Sequence, residues 1–303
     1  MYAKLSPKRG DILLAKNGTT GVAAVVDSDE IFDIYVSLAL LRPKSGVNVS
    51  YLCSALNSED LKRQFNSSLK GIGVPNLHLR EIKKARIIFP PIDIQNKISS
   101  ITKQIDKSKF LLQQILEKLE LLKKSRFIEM FKNSETLRLD QIEEVTMGQS
   151  PDSSSYNSVG KGIPFYQGKT EFTDKYIGQP STWCTSPTRI AKENDILMSV
   201  RAPVGNVNIA TEECCIGRGL SSIRPQNGFN SEFIFEALEQ KKEELENKAT
   251  GSTFKAINKD IVLSIQIPNT SISIQKEYSN FVKQIDKSKL IIQKALEDLV
   301  GKV

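Results

Sequence analysis

Lys103-Gln-Ile-Asp-Lys-Ser-Lys109 occurs a second time, unchanged, as Lys283-Gln-Ile-Asp-Lys-Ser-Lys289. The offset is 180 residues, and 14 of the 26 positions in 94–119 are identical in 274–299. Self-similarity of this kind marks two copies of one structural plan. Upstream, Gly10-Asp-Ile-Leu-Leu14 aligns with Asn194-Asp-Ile-Leu-Met198, and Gly21 with Gly205. Leu41-Arg-Pro43 aligns with Ile223-Arg-Pro225, Gly71 with Gly251, and Phe89-Pro90 with Ile267-Pro268. Each copy is a globular part followed by a helix.

The repeated segment reads as a coiled-coil seam. Ile98, Ile101, Ile105, Ser108, Leu112, Ile115, Leu119 and Leu122 alternate by three and four, the a/d spacing of a heptad pattern. The second copy gives Tyr278, Phe281, Ile285, Ser288, Ile292, Ala295 and Leu299, with its serine at the same heptad place. Lys, Gln, Glu and Asp fill the positions between and keep the other face in water. The first helix, over 95–131, would be roughly 55 Å long at 1.5 Å per residue. Two matched seams in one chain are expected to pair, antiparallel if a pseudo-twofold axis relates the copies.

Composition narrows the function. The chain has 303 residues, 39% hydrophobic and 25% charged, which excludes wholesale disorder. No stretch approaches the roughly 20 apolar residues of a membrane helix, and the N-terminus has no signal-peptide core; a cytoplasmic protein without a membrane partner is expected. Cys53, Cys184, Cys214 and Cys215 form no C-x-x-C pair, and His78 is the only histidine. Zinc sites, disulfide scaffolds and Ser-His-Asp chemistry therefore have little to build on. The net charge of +7 suits a polyanionic partner.

The globular parts predict mixed α/β domains with bent sheets. Asp11-Ile-Leu-Leu14 and Val22-Ala-Ala-Val-Val26 flank Asn17-Gly18-Thr19-Thr20-Gly21, a hairpin signal. Asp195-Ile-Leu-Met198 and Val207-Asn-Ile209 flank Arg201-Ala-Pro-Val-Gly205 in the same way. Helices are predicted over 49–65 and 231–245, the latter entered through Asn230-Ser231, and closing strands over 85–90 and 261–268. Three polar loops stand out: Ile163-Pro-Phe-Tyr-Gln-Gly-Lys-Thr170, Gly217-Arg-Gly219 and Thr250-Gly-Ser-Thr-Phe-Lys-Ala256. Lys and Arg can neutralise phosphates, and Gln, Asn and Arg can read base edges, so these loops suit duplex DNA.

At these residues the chain resembles the specificity (S) subunit of a type I restriction–modification enzyme. The signatures are Pro164-Phe-Tyr-Gln-Gly-Lys-Thr170, Asn194-Asp-Ile-Leu-Met-Ser-Val-Arg-Ala-Pro-Val-Gly205 and Cys215-Ile-Gly-Arg-Gly-Leu220. Pro90-Pro-Ile-Asp-Ile-Gln95 leads into the heptad helix, and the resemblance covers essentially the whole chain. It implies two target-recognition domains, held apart by an antiparallel helix pair, that each read half of a bipartite DNA site. It implies docking of two methyltransferase (M) subunits, which bind S-adenosylmethionine, and later of restriction (R) subunits. The S subunit itself would bind no cofactor and have no catalytic role. The implied segments are a first recognition domain over 1–92, a helix over 93–133, a second domain over 134–270 and a helix over 271–303. Near DNA the expected residues are Tyr166, Gln167, Lys169, Thr170, Arg201, Arg218 and Lys255, with Asn17, Thr19 and Thr20 in the first domain. Lys169 and Lys255 are phosphate candidates; Gln167, Arg201 and Arg218 are base-edge candidates.

The sequence departs from the family pattern at its start. From Leu137 there are 58 residues before Asp195, whereas ten precede Asp11. The first domain is expected to lack its opening segment. Three outcomes follow: a second S chain or fragment completes it, two chains assemble, or the product is a truncated or recombinant allele without DNA-binding activity. A different class of reading is a coiled-coil scaffold whose heads bind protein.

Enzyme readings fail on spacing. Gly168-Lys169-Thr170 lacks the glycine five residues earlier that a P-loop needs, since Ile163 stands there. The one Pro-Pro, at Phe89-Pro-Pro-Ile92, lacks the flanks of a base-flipping methyltransferase motif. Pro151-Asp152 and Glu171 are not followed by the lysine of a nuclease site.

Overall fold

A computed structural model describes residues 6–68, 76–226, 228–251 and 255–300. Gly71 of the repeat and residues 252–254 of the third polar loop lie outside them. The chain divides into two compact units, Met1–Gln114 with Leu296–Val303, and Ile115–Ala295. The division falls within two long helices, those over Ile92–Phe131 and Ile272–Val300. Among the described residues no helix is long and apolar enough to cross a membrane.

In the first unit, β1 (Ile12–Ala15), β2 (Ala23–Val25) and β3 (Leu38–Leu41) form an antiparallel sheet in the order β2-β1-β3. The turn after β1 closes on Gly21, whose φ of 88° is open to glycine and whose missing Cβ leaves 3.1 Å to the Phe65 ring. Helices α1 (Val49–Leu56), α2 (Glu59–Ser68) and α3 (Leu79–Ile82) follow. The predicted helix over 49–65 is broken because Asn57 leaves it to bind β2. Its amide Nδ2 donates to Ala23 O (2.8 Å), and its Oδ1 accepts from Ala23 N (2.9 Å). Ile12, Leu14, Leu56, Leu61, Phe65 and Leu77 make the core. The strand predicted over 85–90 is extended chain with no strand partner among the described residues. His78 precedes α3 as its N-cap residue without a side-chain cap bond.

Helix α4 (Ile92–Phe131, 40 residues) is the longest element. The second unit continues with β4 (Thr136–Arg138), α5 (Leu139–Ile142), β5 (Glu143–Met147), β6 (Tyr156–Asn157), β7 (Ile163–Tyr166), β8 (Trp183–Cys184) and β9 (Ile190–Ala191). Then come β10 (Ile196–Ser199), β11 (Val207–Ile209), β12 (Cys214–Ile216), β13 (Leu220–Pro225), α6 (Ser231–Glu239), α7 (Lys242–Lys248), α8 (Lys259–Leu263), β14 (Gln266–Pro268) and α9 (Ile272–Val300). Two larger sheets result, ordered β11-β10-β13-β5 and β6-β8-β7-β12-β9. A two-stranded sheet joins β14 to β4. The strand predicted over 261–268 is half helix. Asn258 Oδ1 accepts from Ile261 N (3.0 Å) and starts α8, leaving only β14 extended.

The repeat survives in the hydrogen bonds. Ile12 stands opposite Val25 and Leu41, and Ile196 stands opposite Ile209 and Ile223. Arg42 binds both oxygens of buried Asp11 (2.9 and 2.7 Å), as Arg224 binds buried Asp195 (2.9 and 2.8 Å).

Within the second unit the end of α4 packs against α9. Phe127 and Phe131 place their rings 5.4 and 5.6 Å from that of Tyr278, edge-on. Arg126 pairs with Glu277 (3.4 Å), and Glu120 with Lys289 further along, so the two helices run antiparallel there. Lys123, mostly buried, sits 3.2 Å from the buried carboxylate of Glu236 on α6. The heptad reading needs correction in detail. Tyr278 and Ile285 are buried; Ile105, Leu112, Leu119, Phe281, Ile292 and Leu299 are half-buried. Ile98, Ile101, Ile115 and Leu122 are exposed, whereas Ser99, Val282 and Lys123 face inward. A straight helix drifts about 20° per heptad from a 3.5-residue repeat, so a strict a/d row cannot stay on one face over forty residues.

Candidate nucleic-acid interface

Four loops of the second unit are laced together by backbone bonds. Val200, just after β10, donates to Gly219 O (2.9 Å) and accepts from Ile257 N (3.0 Å). Gly217 N donates to Tyr166 O (2.9 Å) and Gly219 N to Gln167 O (3.1 Å). Ala202 N donates to Lys255 O (2.9 Å), and Arg201 forms a β-bridge with Ala256. The glycines flanking Arg218 permit this approach: a Cβ on Gly219 would fall 2.3 Å from Gln167 O. The reading of an arginine held between two glycines thus acquires a packing cause.

The lacing gathers Gln167, Arg201, Arg218 and Lys255 on one edge, and all four are exposed. None of the three cations has a carboxylate partner among the described residues, although Arg224, Lys175 and Lys123 of the same unit all have one. Unneutralised cations beside an exposed amide form an anion-facing surface.

Three expected residues lie elsewhere or act otherwise. Tyr166 is buried, its hydroxyl donating to Gly178 O (3.1 Å), and burial raises its pKa. It is core because both faces of β7 are covered: Tyr166 packs with Ile177, Leu197 and Ile216, and Phe165 on the opposite face with Cys184 and Cys215. Lys169 is exposed but borders a cleft with Asn206, Glu239 and Lys242. Thr170 is exposed beside it.

Arg189 and Gln149 were not legible as candidates. Ile216 N donates to Arg189 O (2.9 Å), and Gln149 N donates to Ile216 O (3.0 Å), so both flank the strand that leads into Arg218. Ser150 Oγ accepts from Arg218 N (3.3 Å). Arg189 and Gln149 are exposed. They stand in stretches without glycine–cation motifs, and only the sheet pairing brings them close.

The first unit repeats the lacing with other side chains. Lys16 N donates to Ser37 O (2.7 Å), Leu77 N to Lys16 O (2.8 Å), and Asn17 bridges Asn76. Asn17 occupies the place of Arg201, and Val36 that of Arg218. Asn17 and Thr19 are exposed; Thr20 is half-buried, with Oγ1 3.4 Å from Lys16 O.

Cys184, Cys214 and Cys215 are buried, and burial pushes the Cys214 thiol up to about 12. Among the described residues no group of three or more His, Cys, Asp or Glu could hold a metal ion.

This combination of a duplicated sheet unit, a long repeat helix and a basic loop edge agrees with a family match. Residues 2–121 and 132–300 match the family described as type I restriction modification DNA specificity domain, and the chain belongs to it. A putative type I restriction enzyme MjaX specificity subunit of Methanocaldococcus jannaschii is 33% identical over 327 residues, spanning 96% of this chain and 77% of that protein. Among solved structures, a chain from work on complex assembly and conformational transition of the type I R-M system superposes with a TM-score of 0.75. It is 26% identical, and the match covers 98% of this chain and 80% of that one. The HsdS subunit of Thermoanaerobacter tengcongensis gives a TM-score of 0.56 at 26% identity, covering 97% and 78%.

Proposed function

We propose that this protein is a cytoplasmic, non-catalytic DNA-recognition subunit of a type I restriction–modification complex. Its two globular units read the halves of a bipartite duplex target, and its long helices scaffold two M subunits and the R subunits. S-adenosylmethionine belongs to the M partner. The observation that carries this reading is the edge where Gln167, Arg201, Arg218 and Lys255 converge without carboxylate partners. Lys255 serves as a phosphate contact, and Arg201 and Arg218 as readers of guanine edges, the commonest arginine target in the major groove. Lys169 and Thr170 contact the backbone farther along. In the first unit Asn17, Thr19 and Thr20 offer amide and hydroxyl contacts, a weaker grip. The recognition domains extend over 1–92 and 134–270, and the connecting helices over 93–133 and 271–303.

The test is a salt titration of DNA binding by the complex with M subunits. Binding that neutralises phosphates must weaken steeply with salt, log K falling by about 0.9 per phosphate contact per log unit. Affinity that ignores salt would favour the protein-binding scaffold instead.

A further inference from the structure

We propose that Gln149 and Arg189 read bases alongside Gln167 and Arg218, and that the strand order β7-β12-β9 sets the order in which the second unit reads successive base pairs. This assignment rests on the reading of that unit as a DNA-recognition module. Neither Gln149 nor Arg189 belongs to the glycine loops; the sheet alone carries them to the edge.

β12 is the middle of the row. On one side it runs parallel to β7, with Ile216 opposite Tyr166. Gly217 N donates to Tyr166 O there, at the end that carries Gln167 and Arg218. On its other side β12 runs antiparallel to β9, with Cys215 opposite Ile190. Ile216 turns both backbone groups to that side: its N donates to Arg189 O (2.9 Å) and its O accepts from Gln149 N (3.0 Å). Gln149 O in turn accepts from Thr188 Oγ1 (2.5 Å), and Ser150 Oγ accepts from Arg218 N (3.3 Å). A Cβ on Gly148 would fall 2.1 Å from Gly217 O, so only glycine lets this stretch lie so close to Arg218. The backbone of the row is thus pinned from both sides. The side chains of Gln149, Gln167, Arg189 and Arg218 are exposed, and none has a hydrogen-bond or ion-pair partner among the described residues.

The chemistry of the row suits bases better than phosphates. Its side chains are all planar forks, amides and guanidiniums, which match adenine and guanine edges bidentately. The lysines of the edge, which meet phosphate as point charges, stand off the row. Lys169 follows in the loop after β7, and Lys255 is bonded to the turn after β10 through Ala202 N. Neighbouring strands lie about 4.8 Å apart, so the row from β7 to β9 spans roughly 10 Å. Base pairs rise by about 3.4 Å, so that span covers about three of them. Gln167 stands at one end, Arg218 in the middle, and Arg189 with Gln149 at the other. A pinned backbone leaves only side-chain rotamers to be ordered on binding, which preserves discrimination.

The test offers the complex with M subunits a duplex library randomised in both half-sites, and the bound fraction is sequenced. The wild type should select a block of adjacent base pairs. Gln167→Ala and Arg189→Ala should relax positions on opposite sides of the one relaxed by Arg218→Ala, each losing a preference of about five- to 150-fold. Gln149→Ala should act on the Arg189 side. Arg189→Lys separates base reading from phosphate contact. It keeps the charge, so the salt slope stays, but it loses the fork, so the preference falls. Preferences untouched by Arg189→Ala and Gln149→Ala, a different order of relaxed positions, or a preference retained by Arg189→Lys would each overturn the assignment. A wild type that selects a site relaxed only by Arg201 and Arg218 variants sinks this assignment alone. A wild type that selects no sequence sinks the recognition reading with it.

Discussion

Val200 and Lys16 occupy the same node of two frames, and the comparison of those frames separates what local sequence determines from what distant chain supplies. In both units the turn glycine donates to the residue before the node at 2.8 Å, Gly205 to Ser199 and Gly21 to Ala15. Both nodes bind the chain near the next helix start, at Ile257 and at Leu77. The frames differ in cover. The second carries β5 on its edge, a further sheet, and the aromatic end of α4 over α6 and α9. The first has a shallow groove at the position of that aromatic end, lined by Tyr51, Ser54, Ile98 and Thr102 among others. Hydrogen-bond skeletons follow from short motifs; burial depends on which other segments arrive.

Repeat-equivalent truncations give the largest test of that contrast. Tyr278 is fully buried, with Phe127 and Phe131 against its ring. Tyr278→Ala should cost about 3–5 kcal/mol, in line with buried aromatic deletions. Ile98, its counterpart, is 38% exposed, and Ile98→Ala should cost under about 1 kcal/mol. Denaturant unfolding followed by circular dichroism measures both, and the single tryptophan, Trp183, reports on the second unit. Equal costs would mean that the first unit is covered in solution as fully as the second.

A pH experiment sharpens the same contrast. Glu143 begins the covering strand, is 7% exposed, and neither carboxylate oxygen has a hydrogen-bond partner. Burial raises its pKa from 4.5 to about 8. The folded state therefore holds a proton that the unfolded state releases between those values. Stability contributed by this group is complete below pH 4.5 and is lost as pH rises towards 8, with a slope approaching about 1.4 kcal/mol per pH unit. Glu143→Gln should flatten that slope in urea melts between pH 5 and 8 and stabilise the protein at the upper end. A slope unchanged by the substitution would refute the assignment.

On DNA the two edges should differ in kind. Arg201→Ala should cost roughly 1–3 kcal/mol at one base pair and relax preference there. Lys169→Ala should weaken all sequences about equally and lower the salt slope by roughly one phosphate contact. Asn17→Ala, at the counterpart of Arg201, should lose less than Arg201→Ala, and only in the other half-site. Binding selections with randomised half-sites distinguish these patterns.

The legible part of this fold was the part written in short motifs. The two hairpins, the Asn230 helix entry and the long helix all follow from neighbours in sequence, and the repeat exposes the two units. Break points within helices were hidden, because Asn57 ends α1 by binding a strand 34 residues away. The seam was read one step off, since helical drift turns Ile101 outward and Val282 inward. At the candidate interface Arg201, Arg218, Gln167 and Lys255 were visible as cations and amides in glycine loops. Tyr166 was misplaced because the short strand β7 is covered on both faces, by segments distant in sequence that its own residues do not announce. Arg189 and Gln149 emerge only through pairing with Ile216.

The smallest expected difference is between two clamps that the repeat preserves intact. Asn48 caps α1 by accepting from Tyr51 N (2.9 Å), and Asn230 caps α6 by accepting from Phe233 N (3.1 Å). Behind each cap stands a buried glutamine of the long helix. Gln95 Oε1 accepts from Asn48 N and Gln275 Oε1 from Asn230 N, both at 2.9 Å. The other end of each amide donates to the chain entering its own helix, at Pro90 O (2.8 Å) and Thr270 O (2.9 Å). Cap loss costs about 1 kcal/mol, so Asn48→Ala and Asn230→Ala should destabilise by equal amounts although their units differ in cover. Thermal melts of the two variants, each read by hydrogen exchange at Tyr51 or Phe233, provide the comparison. A cap that matters in only one unit would show that the skeleton too depends on what packs over it.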